Sequence, residues 1–279
     1  MTFTEEQLER YSRHIILKGV GAAGQKKLLS SKVLVIGAGG LGSPALMYLA
    51  ASGIGTIGIM DGDRVDMSNL QRQIIHDTDK VGEWKVTSAA ESIGRMNPDV
   101  HTILYKERAT AENLPDILPE YDFVIDAVDN FAGKFLINDA CVLAKKPFCH
   151  AGVRGFYGQL MTYVPGQGPC YRCVFEEIPE GGDIDSCSQA GILGTMPGIL
   201  GTMQALEAQK YILGVGELMT GKMYTFDGAT MKTRIIPLQE PAKHCKVCGE
   251  HPVITSLLPE NYEVQNTCAI QGAKRGDIG

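Results

Sequence analysis

A short apolar run that opens into a glycine-rich loop limits the fold of this chain more than any other feature. Residues 32–36 (KVLVI) are one lysine followed by four consecutive apolar residues, and the sequence GAGGLG follows them directly. Such a run is typical of a strand that is buried on both faces of a parallel sheet. Gly37, Gly39 and Gly42 allow a tight turn into a helix, which we expect over residues 41–52. The pattern predicts the first strand–turn–helix unit of an α/β fold.

The alternation of strands and helices continues to about residue 150. Apolar runs predict further strands at residues 56–61, 100–105 and 121–128, and helical patterns cover residues 83–96 and 131–146. This order predicts an α/β fold with a doubly wound, mostly parallel and Rossmann-like sheet.

Beyond residue 150 the pattern changes. Strand patterns with nearby turn signals occur at residues 155–165, 222–228 and 231–238, and they predict an antiparallel extension of the same sheet. A helix is expected over residues 199–213, with start signals at residues 195 and 197.

The two ends of the chain are predicted to lie outside the sheet. Thr4 and Gln7 form a capping-box signal, and helical spacing behind it predicts one amphipathic helix over residues 5–17 that needs a partner surface. Residues 176–190 are the one long polar loop, and residues 259–279 are interpreted as a loose tail.

Composition excludes several classes of protein. The 26 Lys and Arg residues are outnumbered by 32 Asp and Glu, so the net charge of −6 disfavours binding to nucleic acid. The amino terminus lacks the positive charge of a signal peptide, and no apolar run is long enough to cross a bilayer, so we expect no membrane association and a cytoplasmic location. The eight cysteines are therefore expected to be reduced.

The glycine loop indicates a phosphate site. Small residues between a strand and a helix let backbone amides and the helix amino terminus approach a phosphate, and Asp61 ends the second predicted strand where an acidic residue accepts ribose hydroxyls. A tight turn without a ligand, and an ordinary turn aspartate, are the alternatives. The motif alone does not separate NAD, FAD and ATP.

The stretch DGDRVDMSNLQRQ, residues 61–73, carries more charge than a dinucleotide needs. Attack at the α-phosphorus of a triphosphate builds up negative charge on the departing pyrophosphate, which cations and a carboxylate-held metal stabilise. Arg72, Lys85 and Asp129 are candidates for these roles, and Asp129 follows the fourth predicted strand at the carboxyl edge of the sheet. Solvated surface charges are the alternative for Arg72 and Lys85.

Four motifs together resemble the ThiF/MoeB/HesA family of bacterial adenylating enzymes, relatives of the ubiquitin-activating enzymes. The motifs are GAGGLGSP, DGDRVDMSNLQRQ, DAVDN and QAGILGTMPGILGTMQALEAQKYILG, and the likeness runs from about residue 5 to residue 252. The resemblance implies that the chain uses magnesium and ATP to adenylate the carboxy-terminal glycine of a small ubiquitin-like sulfur-carrier protein that ends in Gly-Gly.

The resemblance also implies roles for individual residues. The implied nucleotide site consists of Gly37, Gly39, Gly40, Gly42, Asp61, Asp63, Asn69, Arg72, Gln73, Lys85, Asp129 and Asn130. Within it, Asn69, Arg72 and Lys85 contact the phosphates and Asp129 binds magnesium. Arg13 matches the family's arginine that reaches ATP from the neighbouring subunit, which implies a homodimer.

Three other functions remain open. A nicotinamide-dependent oxidoreductase fits the glycine loop and Asp61, although no separate catalytic domain is visible for it. An inactive subunit that pairs with another chain is a second alternative, and a relative that activates a carboxylate on a tRNA nucleoside is a third. The acidic net charge argues against the tRNA relative.

Two C-x-x-C motifs predict a zinc site. Cys170 and Cys173 form one motif, and Cys245 and Cys248 form the other. Four thiolates complete a tetrahedral shell with no open position, which is typical of structural zinc rather than of a redox dithiol.

Cys187 lies in the polar loop, where its thiol could reach an activated carboxyl group. The resemblance implies either a covalent link between this cysteine and the carrier or a dispensable thiol. The nearby Asp183 and Asp185 argue against a reactive thiolate, so a covalent role and a dispensable thiol both remain open.

The resemblance also divides the chain. It predicts one adenylating domain over residues 1–253, with a nucleotide-binding part at 30–150 and a carrier-binding and zinc part at 151–253, followed by a tail at 254–279. We expect no sulfurtransferase domain in the residues after the second C-x-x-C motif, and therefore a separate sulfur donor. Neither the carrier nor the pathway is identified.

Overall fold

Eight strands form one sheet in the computed structural model of the chain, which describes residues 2–179 and 191–262. The strands are β1 (Lys32–Ile36), β2 (Thr56–Met60), β3 (His101–Tyr105), β4 (Phe123–Asp126), β5 (Phe148–Arg154), β6 (Tyr157–Tyr163), β7 (Lys222–Asp227) and β8 (Lys232–Pro237). Their order across the sheet is β3-β2-β1-β4-β5-β6-β7-β8. The first five of these pair in parallel and the last three extend the sheet in antiparallel pairs. This confirms the predicted mixed sheet, although β5 was not among the strands predicted by residue range.

Helices cover both faces of the sheet. They are α1 (Glu5–Arg10), α2 (Ser12–Ile15), α3 (Gly21–Ser30), α4 (Gly42–Ser52), α5 (Lys85–Met96), α6 (Leu114–Ile117), α7 (Phe131–Leu143), α8 (Tyr171–Val174) and α9 (Thr195–Leu213), with short 3-10 helices at Met67–Asn69, Thr78–Lys80, Leu118–Glu120 and Pro259–Tyr262. The predicted strands and helices of the parallel half are confirmed to within three residues at each end, and α9 begins at the predicted start signal.

Side chains of β1 alternate between two buried apolar clusters. Val33 and Val35 pack with α4, α5 and α9 on one face, whereas Leu34 and Ile36 pack with α7 on the other. All four side chains are at most 2 % exposed, which explains why residues 33–36 are all apolar.

The strand order reverses direction at β1. Chain order proceeds from β1 to β2 and β3 on one side, and from β4 to β5 on the other. The loops after β1 and β4 therefore diverge and leave a crevice at the carboxyl edge of the sheet, which is where open α/β sheets bind ligands. The glycine loop follows β1 and the DAVDN motif ends β4, so the two motifs meet at this crevice.

The single helix predicted over residues 5–17 is wrong. The chain forms α1 and α2 with a break at Tyr11, whose side chain is 1 % exposed. The break turns the Tyr11 ring into the protein, where its hydroxyl accepts a hydrogen bond from Asn97. This long-range contact leaves no local signal in the sequence. No helix was predicted at α3, because its two glycines weaken the helical pattern.

The first residues of the predicted tail are packed on the protein. Pro259–Tyr262 form a 3-10 helix, and Tyr262 is 9 % exposed with its hydroxyl donating to Asp139 on α7. The expectation of a loose tail from residue 259 is therefore wrong for these four residues. Among the described residues, no helix combines the length and the apolar character that a bilayer crossing requires.

Candidate active site

The glycine loop joins the carboxyl end of β1 to the first turn of α4. Gly37 has a φ of 102°, and a Cβ there would lie 2.7 Å from the carbonyl oxygen of Ala127. A Cβ at Gly42 would lie 1.8 Å from the carbonyl oxygen of Gly37. These two glycines are needed to close the turn. By contrast, a Cβ at Gly39 would meet only the Gln73 amide at 3.6 Å, so the backbone there is open to an incoming group.

Asp61 lies directly after β2 and is bonded to the glycine loop. Its Oδ2 accepts a hydrogen bond from the Ala38 amide at 2.8 Å, and its Oδ1 accepts one from the Asp63 amide at 2.8 Å. The carboxylate is half-buried, and its remaining lone pairs can accept hydrogen bonds from a ribose. The amino terminus of α4 lies on the same loop, where the helix dipole favours a phosphate.

Two cations converge on Asp63. Lys85, the first residue of α5, places Nζ 3.3 Å from Oδ2 of Asp63, and Arg108 places a guanidinium nitrogen 2.9 Å from Oδ1. Partial burial would raise the pKa of Asp63, but the Arg108 hydrogen bond and the Lys85 charge outweigh burial and lower it. The Lys85 side chain is only 7 % exposed, so its charge has little water around it and acts strongly on a nearby anion.

A short turn places Arg72 and Gln73 over the glycine loop. The Asn69 carbonyl accepts hydrogen bonds from the amides of both residues, at 3.1 and 3.0 Å. The side-chain amide of Asn69 donates to Ser68 Oγ at 3.3 Å, and the Arg72 guanidinium donates to the Ser68 backbone carbonyl at 3.3 Å. Gln73 is 4 % exposed, and its Oε1 has no hydrogen-bond partner among the described residues. The polar stretch after β2 therefore folds onto the phosphate loop.

Asp129 lies in the loop between β4 and α7. The turn before it is held by Asp126, whose Oδ1 accepts a hydrogen bond from the Val128 amide at 3.2 Å. The residue after it, Asn130, caps α7 by accepting a hydrogen bond from the Gly133 amide at 2.8 Å. Asp129 itself is exposed and makes no hydrogen bond or ion pair with a described residue. The backbone on both sides therefore holds Asp129 at the crevice, and its carboxylate oxygens have no partner among the described residues.

A buried polar cluster lies beneath the Asp129 loop. Oδ2 of Asp126 is 2.7 Å from Nδ1 of His150 and 3.6 Å from Nζ of Lys134. Burial would raise the pKa of Asp126, but the Lys134 charge and the His150 hydrogen bond lower it overall. Burial and the charge of Lys134 lower the pKa of His150 to about 4, so its ring is neutral at pH 7 and donates from Nδ1. The fully buried carboxylate therefore stays ionised and fixed.

The four predicted metal-site cysteines form one cluster. The Sγ atoms of Cys170, Cys173, Cys245 and Cys248 all lie within 4.8 Å of one another. Four of the sulfur–sulfur distances, 170–173, 170–245, 173–248 and 170–248, are 3.3–3.9 Å. Sulfurs at the corners of a tetrahedral zinc site are about 3.8 Å apart when each zinc–sulfur bond is about 2.3 Å. The observed spacing fits that geometry. None of the four is in a disulfide.

The sequence profile of the ThiF family matches residues 11–247. This stretch contains the glycine loop, the polar turn, the Asp129 loop and three of the four clustered cysteines. The chain belongs to the ThiF family.

Two curated relatives show how this ThiF-family chain compares in length. The sulfur carrier protein adenylyltransferase of Thermus thermophilus is 40 % identical over 268 residues, which cover 94 % of this chain and 98 % of the relative. The adenylyltransferase and sulfurtransferase MOCS3-1 of Zea mays is 43 % identical over 250 residues, which cover 90 % of this chain but 53 % of the relative. The chain thus spans about half the length of the plant protein and nearly all of the bacterial one.

A solved structure shares the fold. Escherichia coli MccB, crystallised with ATP, superimposes with a TM-score of 0.74 at 25 % sequence identity. The superposition covers 86 % of this chain and 74 % of MccB. The mixed sheet of the ThiF-family chain is therefore also the sheet of a protein crystallised with ATP.

Arg13, which the resemblance implies reaches ATP in the neighbouring subunit, does not lie at the crevice of its own chain. Arg13 lies on α2, which packs near the carboxyl ends of α4 and α5, whereas both helices begin at the crevice. Because α5 has 12 residues, its two ends are about 18 Å apart. Arg13 is thus at the opposite edge of the sheet from this chain's own glycine loop. Cys187 lies outside the described residues.

Arg108 belongs to the site but is not among the residues predicted for it. It follows β3, which pairs with β2, and therefore reaches the same edge of the sheet as Asp63. The only signal in the sequence was its position just after a predicted strand. The Asp126, His150 and Lys134 cluster was also missed, because its members come together only when β4, β5 and α7 pack.

Proposed function

We propose that this chain uses magnesium and ATP to adenylate the carboxy-terminal glycine of a small ubiquitin-like sulfur-carrier protein, releasing pyrophosphate. The product is the acyl-adenylate from which a thiocarboxylate is made. The observation that carries this proposal is the set of Lys85, Asp63, Arg72 and Asp129 beside a phosphate-type glycine loop in a ThiF-family chain. The name of the T. thermophilus relative supports the same substrate class.

The nucleotide would bind across the glycine loop. The amino terminus of α4 and the open backbone at Gly39 face the phosphates, and Asp61 accepts the ribose hydroxyls. Asn69 and Gln73 belong to the same turn. Oε1 of Gln73 has no hydrogen-bond partner among the described residues, so it can accept a hydrogen bond from the nucleotide.

The reaction requires positioning and charge stabilisation. A carboxylate oxygen of the carrier forms a bond to the α-phosphorus of ATP, and the bond from that phosphorus to the bridging oxygen breaks, so pyrophosphate leaves with the electron pair. Lys85 and Arg72 stabilise the charge on the departing pyrophosphate. No general base is needed, because the attacking carboxylate is already ionised at pH 7.

Asp129 is suited to be a magnesium ligand. Its exposed carboxylate has no partner among the described residues, and a hard oxygen donor is what magnesium prefers. When bound, magnesium would neutralise charge on the phosphates. Asn130 belongs to the same loop, although its Oδ1 caps α7.

The position of Arg13 supports a homodimer. Arg13 lies about the length of α5 away from its own glycine loop, so it contributes to adenylation only if it enters the site of a second copy. The same amino-terminal segment exposes Leu8, Ile16 and Leu17 at 46 %, 72 % and 55 %, which gives a second copy apolar side chains to cover.

The cysteine cluster is proposed to hold zinc. Its sulfur spacing fits a closed tetrahedral site, which has no place for substrate and is structural. Bound zinc would tie the segment after β6 to the segment after β8. The separate sulfur donor, the cytoplasmic location and the role of Cys187 remain predictions, as does the division into parts at residues 150 and 253.

Mass spectrometry of the carrier tests the proposal. Candidate Gly-Gly carriers are incubated with the chain, ATP and magnesium, and each intact carrier is analysed for added AMP. We expect AMP on a carrier with an intact terminus and none on the same carrier without its last glycine. AMP addition to both forms, or to no candidate, would contradict the proposed substrate.

A further inference from the structure

Arg13 is exposed and makes no hydrogen bond or ion pair within the described part of the chain. It lies on α2, which has four residues, and α1 before it has six. Helices this short are not stable alone in water. The direction in which Arg13 leaves the protein is therefore set by the contacts that attach α1 and α2 to the rest of the fold.

The first contact is a buried hydrogen bond to Tyr11, the residue that separates α1 from α2. Asn97 is fully buried, and its amide donates to the Tyr11 hydroxyl at 2.9 Å and to the Ala50 carbonyl at 2.7 Å. The Tyr11 ring lies over Gly53, where a Cβ would come within 2.6 Å of the ring. Asn97 thus fixes Tyr11 against the ends of α4 and α5.

The second contact holds α2 itself. The Tyr11 carbonyl accepts hydrogen bonds from the amides of His14 and Ile15, both at 2.9 Å, and so begins the helix. Nδ1 of His14 donates to Oε1 of Gln25 at 2.8 Å, and Gln25 is fully buried with its amide donating to the Ser52 carbonyl at 2.9 Å. The residue two before Arg13 and the residue after it are therefore both attached to buried amides.

We propose that Asn97 and Gln25 are positioning residues for the reaction in the neighbouring subunit, because they hold Arg13 at the angle at which it enters that subunit's site. This inference rests on the proposed adenylation by a homodimer. Neither residue touches this chain's own glycine loop, since both lie at the opposite edge of the sheet. A misplacement of a catalytic group by about 1 Å lowers a rate by about 100-fold, so loss of either contact affects catalysis beyond its effect on folding.

Mixed dimers separate this role from a structural one. Two versions of the full chain are co-expressed with different affinity tags, the mixed dimer is purified, and carrier-dependent pyrophosphate exchange is measured. The reference pairs a wild-type subunit with Lys85→Ala, so that only the wild-type site works and it receives Arg13 from the Lys85→Ala subunit.

Two further dimers carry Asn97→Ala in opposite places. When Asn97→Ala is in the subunit with the working site, we expect the reference rate, because Arg13 comes from the other subunit. When Asn97→Ala is added to the Lys85→Ala subunit, we expect the rate to fall at least about tenfold. The opposite pattern, equal effects in both places or no effect in either overturns the proposal.

Tyr11→Phe keeps the test decisive if Asn97→Ala does not fold, because it removes only the hydroxyl that Asn97 bonds. We expect the same placement-dependent loss from it. The matched control is Tyr121→Phe, which removes a buried hydroxyl bonded to Tyr105 at 3.0 Å and should leave the rate unchanged in both places. A Tyr121→Phe loss equal to that of Tyr11→Phe contradicts a positioning role.

The same measurements distinguish a failure of the positioning role from a failure of the proposed adenylation. If the wild-type homodimer supports no exchange, adenylation itself is wrong. If Arg13→Ala in the Lys85→Ala subunit leaves the reference rate unchanged, Arg13 does not act between subunits. A wild-type rate, a loss with Arg13→Ala and no loss with Asn97→Ala or Tyr11→Phe overturns only the positioning role.

Discussion

Nζ of Lys85 lies 3.3 Å from Oδ2 of Asp63, and the two residues come from different elements at the carboxyl edge of the sheet. Lys85 begins α5, whereas Asp63 belongs to the polar turn after β2. A second cation, Arg108, shares the same carboxylate at 2.9 Å. Asp63 thereby holds two positive charges beside the glycine loop before any nucleotide is bound.

Lys85→Ala should lower pyrophosphate exchange by about 100-fold or more, since removing one preorganised charge-stabilising group costs catalysis about that much. Asp63 keeps its ion pair with Arg108, so we expect little change in thermal stability. The matched control is Lys80→Ala. Nζ of Lys80 lies 2.6 Å from Oε2 of Glu91, and this ion pair is outside the crevice. If both variants lose exchange equally, the account of Lys85 is wrong.

Gly39→Ala and Gly42→Ala should fail in different ways. A methyl group at Gly39 has space, so this variant should fold with a melting temperature near that of the wild type and should bind ATP weakly. A methyl group at Gly42 would overlap the Gly37 carbonyl, so that variant should be destabilised by several kcal/mol. Calorimetric melting with and without ATP distinguishes them. Tight ATP binding by Gly39→Ala would show that the open backbone does not receive phosphate.

Stability should fall in acid because His150 is buried in its neutral form. Its folded pKa of about 4 lies below the ordinary 6.5, so the unfolded chain takes up the proton first as pH falls. The stabilisation is complete above about pH 6.5 and is lost as pH falls towards 4, by roughly 3 kcal/mol in total. Charged Lys134 and ionised Asp126 face the ring throughout this window.

Urea unfolding between pH 4 and pH 7 measures this loss. The pKa of His76 is also lowered by burial, so the wild-type chain has more than one contribution in the same window. Comparison with His150→Gln isolates one of them, and this variant should show a shallower loss of unfolding free energy. Identical pH profiles for the two proteins would rule out the assigned cause.

The purified chain should contain about one zinc ion, measured by atomic emission. Cys173→Ser should lose the metal and melt at a lower temperature, because bound metal contributes folding energy. Cys141→Ala is the control, since this buried cysteine lies outside the cluster and its loss should leave the zinc content unchanged. Zinc retained at full occupancy by Cys173→Ser would disprove the four-sulfur site.

Local sequence patterns predict the parts of this fold that rest on local chemistry. β1 is predicted because both its faces are buried, and the glycine loop because Gly37 and Gly42 have no room for a side chain. The cysteine cluster follows from two motifs whose short spacing matches the ligand geometry of zinc.

Features that depend on packing between distant segments are not predicted. Arg108 joins the site only because β3 pairs with β2, and Tyr11 breaks the first helix only because Asn97 is buried beside it. The Asp126, Lys134 and His150 cluster requires three elements to meet. No pattern within one segment contains that information.

Isotope exchange between pyrophosphate and ATP tests the central claim most directly, because it reports reversible attack at the α-phosphorus. With an intact Gly-Gly carrier and magnesium, the wild-type chain should exchange label into ATP. Omitting either component, or introducing Asp129→Asn, should abolish the exchange. Exchange that persists without a carrier, or a chain that shows none with any carrier, would contradict adenylation at this site.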